Sequence, residues 1–385
     1  MVNYPTTEGM IYPTIFGVDS HARTTTICAF NTQDGSLDKR TFPDNDYEKM
    51  SKFMEGFPKP AWGVYEAGCT GYVPARRLSR EGIVVTPIAP SKTPVSDDTR
   101  KKKNDKNDAV MLARSAMSGS LSIVWVPSEE VEGLREISHA LEDLKQERKA
   151  AYQRVTALLG RHGHVWDRRT KSGSLKKMWT KEFWGWLYKI ELGDPCSQKA
   201  LEMAIAAAQS AKERCDEAER EARELVAASS LKNVVYALTC LKCIQFTTAL
   251  AFVAEVGDFA RFASGRKIVS YFGLVPREDS SADSRRLGRI TKSGSSMVRK
   301  LLTECSWSAT RCGLTFKKCP DGTDPRIVER SRTLSQRLAQ NRKSRLERGM
   351  APCKANGATA AELAKYMLFL GKDQQEIDRE AQAAA

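Results

Sequence analysis

PTIFGVDSHARTTTICAFNTQDGSLDKRTF, residues 13–42, holds three short β-rich runs in succession: PTIFGVD (13–19), TTTICAF (24–30) and SLDKRTF (36–42). β-Branched and aromatic residues fill the first two, and TQDG marks the turn into the third, as expected for strands joined by short turns. The period then changes. DNDYEKMSKFMEGF (44–57) reads as a helix opened by an Asx cap, and AWGVYEA (61–67) as a fourth strand. TGYVPARRLSREG (70–82) reads as a helix ended by Gly82, and IVVTPI (83–88) as a fifth strand.

The order βββαβαβ is that of the RNase H-like α/β fold, a mixed sheet covered by helices, with the first and fourth strands side by side at its centre. After the basic loop TRKKK (99–103) a helix is expected at about 105–118, then a long one at about 128–160. In the long helix Leu134, Ile137, Leu141, Leu144, Ala151, Val155 and Leu158 make a 3-4 spaced apolar seam broken by Arg148. An Ala-rich helix at about 197–228, with Leu201, Ile205, Ala208, Cys215, Ala222 and Val226, is a candidate antiparallel partner. Between them WDRRTKSGSLKKMWTKEFWGWLY (166–188) holds four of the seven Trp. It reads as packing that caps the hairpin, with base stacking as the alternative. Three domains are expected: 1–125, α/β; 126–230, a coiled-coil hairpin with an insertion at about 164–195; and 231–385, mainly α-helical.

A length of 385 residues suits two or three domains, and 41% apolar with 8% aromatic residues is a globular composition. No run of about 18 apolar residues occurs, and MVNYPTTEGMIYPT lacks the pattern of a secretory signal, so a soluble intracellular protein is expected. Ten cysteines, most of them single within apolar patterns, read as thiols of a reduced compartment. The close pair Cys240 and Cys243 has no second CxxC and no His pair at zinc spacing, which argues against structural zinc. The net charge of +14 is concentrated. Residues 261–300 carry ten Lys/Arg against three Asp/Glu, and residues 326–354 nine against two, which matches the whole excess. Such a field fits a phosphate backbone, whereas a face used only for solubility would interleave the signs.

Four carboxylates stand out. Asp19 ends the first strand and Glu66 the fourth, while Asp105 and Asp108 lie three apart at a helix N-terminus and share a face. Singly, each has an ordinary explanation: a turn residue, a surface strand end, a helix cap. Converging on one spot they would repel unless cations neutralised them, and hard oxygen donors match Mg²⁺ or Mn²⁺. Two such ions activate a nucleophile and stabilise the leaving oxygen in a phosphoryl displacement.

GVDSH, YEAGCTGY and KNDKNDAVMLA resemble the D, E and DxxD motifs of the DEDD-type insertion-sequence transposases, which are bridge-RNA-guided DNA recombinases. FARFASGRKIVSYFGLVPRE, the SS after it and RRLGRITKSGSSMVRKLL resemble their second, Tnp domain. The resemblance covers both ends and most of the chain. It implies a RuvC-like N-terminal domain, a coiled-coil middle and a helical Tnp domain, with Asp19, Glu66, Asp105 and Asp108 holding Mg²⁺ (or Mn²⁺). It also implies a catalytic serine shortly after GLVP, which attacks a DNA phosphodiester to form a covalent phosphoserine. That position falls on Ser281, one residue before Ala282, where the family usually has glycine; Ser280 is the adjacent candidate.

Around this serine GLVPREDSSADSRRLGRITKSGSS (273–296) has the composition of a mobile loop, and Arg285, Arg286, Arg289 and Lys292 are the expected phosphate grip. Arg100, Lys101, Lys102 and Lys103 precede the DxxD pair as further nucleic-acid contacts. The implied partners are double-stranded target and donor DNA, a noncoding bridge RNA, and further copies of the chain as dimers pairing into a tetramer, with the apolar seam offering an interface. No membrane partner is implied, and the setting is the bacterial cytoplasm and nucleoid. The chain departs from the family at LTCLKCIQFTTAL (238–250), where a Pro-Gly-Ile-Gly turn is frequent, and in its Trp-rich stretch.

Two other functions remain open on the residues: a RuvC-like nuclease for branched DNA that uses only the acids, and a catalytically inactive nucleic-acid-binding protein. An actin-like sugar kinase would want a Gly-rich phosphate loop after the first strand, and DSHARTT supplies none.

Overall fold

β1 (Thr14–Ser20), β2 (Thr24–Asn31) and β3 (Leu37–Pro43) form an antiparallel meander, with Val18 opposite Ile27 and Ile27 opposite Arg40. The structure, a computed structural model, describes residues 12–80, 82–89, 105–117, 121–278, 286–309 and 317–384. The chain divides into two units, Met1–Pro127 and Ser128–Ala385.

In the first unit β4 (Ala61–Glu66) pairs parallel with β1, and β5 (Ile83–Ile88) parallel with β4. The result is a mixed five-stranded sheet of order β3-β2-β1-β4-β5. Period-2 alternation sends its apolar residues to both faces. Phe16, Val18, Ile27, Tyr65 and Val85 pack with Met50 and Met54 of α1 (Tyr47–Glu55) and with Ala75 and Leu78 of α2 (Val73–Leu78). Asp46 caps α1 by accepting from the Lys49 amide at 3.1 Å. The expected helix over 70–82 contracts to the six residues of α2. The Arg80 and Ile83 backbones hydrogen-bond to each other at 3.1 and 2.9 Å, which turns the chain directly into β5.

The opposite face carries α3 (Asp105–Met117), whose Leu112, Ala113 and Ala116 join Ile15, Trp62, Val64 and Ile88. A Cβ at Gly17 would lie 1.8 Å from the Ala109 carbonyl oxygen and 2.8 Å from the Ala113 nitrogen. The helix backbone therefore rests directly on the backbone of β1. Because Ala113 and Ala116 cluster with Ile15, the first turn of α3 lies toward the Asp19 end of the strand.

The second unit is mostly helical. α4 (Glu129–Arg161), capped by Ser128, runs antiparallel to α6 (Pro195–Ala228), with Arg148–Asp216 at 3.4 Å and Arg214–Glu147 at 3.1 Å across the pair. Leu134, Leu141, Ala151 and Val155 of the seam are buried, and so are all six seam residues of α6. At the far end Leu159 replaces Leu158 in the core, because a straight α-helix drifts off a strict heptad. The seam is filled within the chain, so self-association would use another face. The Trp-rich stretch caps the hairpin: Trp166 and Phe183 are buried, and α5 (Lys181–Leu187) packs on Ala151 and Val155.

α7 (Lys232–Thr239) and α8 (Phe246–Val256) follow, then α9 (Gly265–Tyr271), α10 (Ser296–Ser308), α11 (Pro325–Glu347) and α12 (Pro352–Ala384). Phe246 and residues 248–256 of α8 are buried, so the other helices pack around it. No described helix is long and apolar enough to cross a membrane.

Gly17→Ala should lower stability by about 2 kcal/mol or more, since a backbone carbonyl cannot rotate out of the way. Urea unfolding followed by circular dichroism reads this directly.

Candidate active site

Val18 pairs with Tyr65 in the parallel β1–β4 ladder, so one step further Asp19 and Glu66 stand at adjacent strand ends. Tyr65 points into the α1–α2 core; alternation therefore turns Glu66, with Asp19, to the face that α3 covers. Asp108 is half-buried in the first turn of α3, and Asp105 opens that helix, its side chain outside the described residues. Topology thus brings Asp19, Glu66 and the start of α3 to one end of one sheet face. Arg100, Lys101, Lys102 and Lys103 lie outside the described residues.

Asp19 is 16% exposed at its side chain, and its Oδ2 lies 3.2 Å from His21 Nε2. Sequence reasoning missed His21, although the i, i+2 spacing in GVDSH was the available signal. The turn that carries it is fixed from a distant segment. Asn45 donates through Nδ2 to the His21 and Ala22 carbonyls at 2.9 and 3.1 Å and accepts from Thr25 Oγ1 at 2.7 Å. The Tyr65 hydroxyl donates to the Gly71 carbonyl at 3.0 Å and so holds the loop that follows Glu66.

The donor set is all hard oxygen, the chemistry that Mg²⁺ and Mn²⁺ take. Among the described residues no three His, Cys, Asp or Glu side chains close into a metal-holding group. Cys240, in the CxxC pair, is a buried thiol. Burial, with a hydrogen bond to Cys319, pushes it up to about 12, so it stays protonated at neutral pH.

Ser280, Ser281 and Arg285 lie outside the described residues, between β6 (Pro276–Glu278) and β7 (Leu287–Ile290), which pair antiparallel. Arg286, Arg289 and Lys292, which follow in the chain, are exposed. The base of this hairpin departs from the mobile loop that its composition suggests. Gly273, at φ 61°, and Gly294, at φ 69°, leave no room for a Cβ: one would lie 2.3 Å from the Ser293 nitrogen, the other 2.0 Å from the Tyr271 oxygen. The Lys292 amide donates to Gly273 O at 3.1 Å, and the Thr291 amide to Val275 O at 2.9 Å. Arg299 closes the clamp, its Nη1 donating to the Phe272 and Ser293 carbonyls at 3.1 and 2.8 Å.

Comparison with known proteins gives two family matches. Residues 16–163 match the DEDD transposase model of IS110-type elements, and residues 235–319 match a model described as Transposase IS116/IS110/IS902 family. Together they span more than half of the chain. The chain belongs to the IS110/IS116 family of transposases.

Three relatives carry transposase names. A Sinorhizobium fredii protein named "Putative transposase y4qE" is 34% identical over 244 residues, 63% of this chain and 57% of the relative, so the chain spans little more than half of that protein's length. The transposase for insertion sequence element IS1533 of Leptospira borgpetersenii is 25% identical over 76% of this chain and 84% of the relative. A "Probable family 20 transposase" of Pseudomonas aeruginosa is 28% identical over 72% and 78%. The first family match runs from β1 to beyond the end of α4, and the second from α7 through α10. The Trp-rich stretch and α6 fall between them, in neither match.

Arg299→Met should release the hairpin base. We expect stability to fall by about 2 kcal/mol, with faster amide exchange in residues 272–278 and 286–295, measured by hydrogen–deuterium exchange.

Proposed function

We propose that the chain is a DNA recombinase with an RNase H-like, RuvC-like N-terminal unit, which cuts and rejoins strands to excise and insert a mobile element. The observation that carries this reading is the meeting of Asp19, Glu66 and the first turn of α3 at one sheet end, in a member of a transposase family. Asp19, Glu66, Asp105 and Asp108 would hold Mg²⁺ or Mn²⁺, which when bound supplies positive charge for phosphoryl displacement. His21 orients the Asp19 carboxylate from the outside.

Ser281, with Ser280 in reserve, is the proposed nucleophile. Its Oγ bonds to phosphorus and loses its proton; the bond from phosphorus to one sugar oxygen breaks, and that oxygen takes up a proton. The phosphoserine ester keeps the bond energy, so strands rejoin without ATP. Arg285, Arg286, Arg289 and Lys292 neutralise the phosphate during attack, and Arg100, Lys101, Lys102 and Lys103 hold the backbone. Target and donor DNA are chosen by a bridge RNA, on dimers that pair into a tetramer, and the concentrated positive charge matches both polyanions.

The test is to purify the protein with its co-bound RNA, add matching DNA and Mg²⁺, and digest for mass spectrometry. A nucleotide adduct on Ser281 is expected. Ser281→Ala should lose it together with strand exchange, by on the order of 10⁴-fold or more. Asp19→Asn should abolish both cleavage and adduct. Normal cleavage by Ser281→Ala with no adduct would instead identify a hydrolytic nuclease, and an adduct on another serine would move the nucleophile there.

A further inference from the structure

At the root of the coiled-coil hairpin an open groove of about 900 Å³ lies between α4, α6, α8, α10 and the Trp-rich cap. Its lining is cationic on balance, with Lys145, Arg148, Lys149, Lys212, Arg223 and Lys300 against Glu142, Glu219 and Glu304. Lys300 takes the Glu142 carboxylate at 2.5 Å. Lys145, deeper in, donates to the neutral hydroxyl of Thr247 at 2.5 Å. Burial pulls its pKa below the ordinary lysine value, and Glu219 and Glu142 offset this only in part, so an incoming anion would stabilise its charged form.

The rim is aromatic. Trp179 stacks on Tyr152 with centroids 3.6 Å apart and planes 9° apart, and exposed Met178 extends the same edge. Trp179 sits at φ 65°, a conformation costly for a large side chain, which the packing of Phe183 and Trp184 against its ring maintains. A cationic floor beside a fixed aromatic edge is the arrangement that binds unpaired nucleotides: phosphates on the cations, a base on the ring. A duplex offers its phosphates but keeps its bases stacked.

We propose that this groove binds a single-stranded nucleic-acid segment, with Lys145 at a phosphate and the Trp179–Tyr152 pair as a platform for an unstacked base. The inference rests on the recombinase reading for its biological setting, but its geometry lies within the second unit. Met178 and Trp179 of this edge belong to the stretch outside both family matches, while Tyr152 lies within the first.

The experiment uses the full chain and fluorescein-labelled single strands of about 12 nucleotides, within known single-strand site sizes, as oligo-dT and as oligo-U, with a duplex of equal length. Lys145→Gln and Trp179→Gly should each weaken single-strand binding about tenfold or more and leave duplex binding within about twofold. Glycine is chosen at 179 because it accepts the positive φ without strain. An oligonucleotide carrying 5-iodouracil should cross-link to Trp179, Tyr152 or Met178. Tighter binding of oligo-U would assign the segment to RNA, and tighter binding of oligo-dT to a displaced DNA strand. Parental single-strand affinity in both variants, equal losses on the duplex, or cross-links only elsewhere would overturn the proposal. Asp19→Asn separates the two readings: it should abolish cleavage and leave groove binding intact. Groove binding without any cleavage by the parent would sink the recombinase reading alone.

Discussion

The contact on which the N-terminal unit depends is between two backbones. At Gly17 the central strand has no side chain, and the Ala109 carbonyl occupies the place where a Cβ would stand. A helix packing on a sheet through side chains stands off by their thickness; here α3 comes down onto β1 itself. Small Ala113 and Ala116 continue the close approach beside Ile15. That contact fixes where α3 begins, and hence where Asp108 stands relative to Asp19 and Glu66. The acids occupy the strand ends and a helix start, while Phe16, Val18 and Tyr65 fill the opposite face.

The second unit achieves order by a different route. Its hairpin buries an apolar seam, and its core forms around α8. Polar anchors then fix the irregular segments: Arg299 collects the carbonyls at the base of the β6–β7 hairpin, and Arg135 reaches the Ala254 carbonyl at 3.2 Å where α8 ends. Each satisfies carbonyls that no regular element pairs, the accounting that buried backbone demands. The proposed nucleophile thus lies in a segment whose two flanks are held firmly, so the connection between β6 and β7 starts and ends at defined points.

Much of this was legible in the chain itself. The strands at 13–42, 61–67 and 83–88 and the helices near 105, 128 and 197 match the observed elements closely, because alternation, turn residues and caps are local signals. The helix expected at 70–82 ends at Leu78, because the backbone exchange between Arg80 and Ile83 turns the chain into β5; the other departures are non-local. Asn45 meets the His21 carbonyl from 24 residues away, Arg299 reaches Phe272 from 27, and Lys145 meets Thr247 across 102. No periodicity announces such pairs.

The sequence by itself determined the element order, the seam, the uneven positive charge and the four acids, since composition, period and motif spacing are properties of the chain read in one dimension. Tertiary structure alone decided that Asp19 and Glu66 are neighbours in register, that the glycines at 273 and 294 clamp rather than loosen, and that four helices and a Trp cap enclose a cationic groove. Those outcomes depend on close approach of backbones and on burial, which exist only once distant segments are packed together.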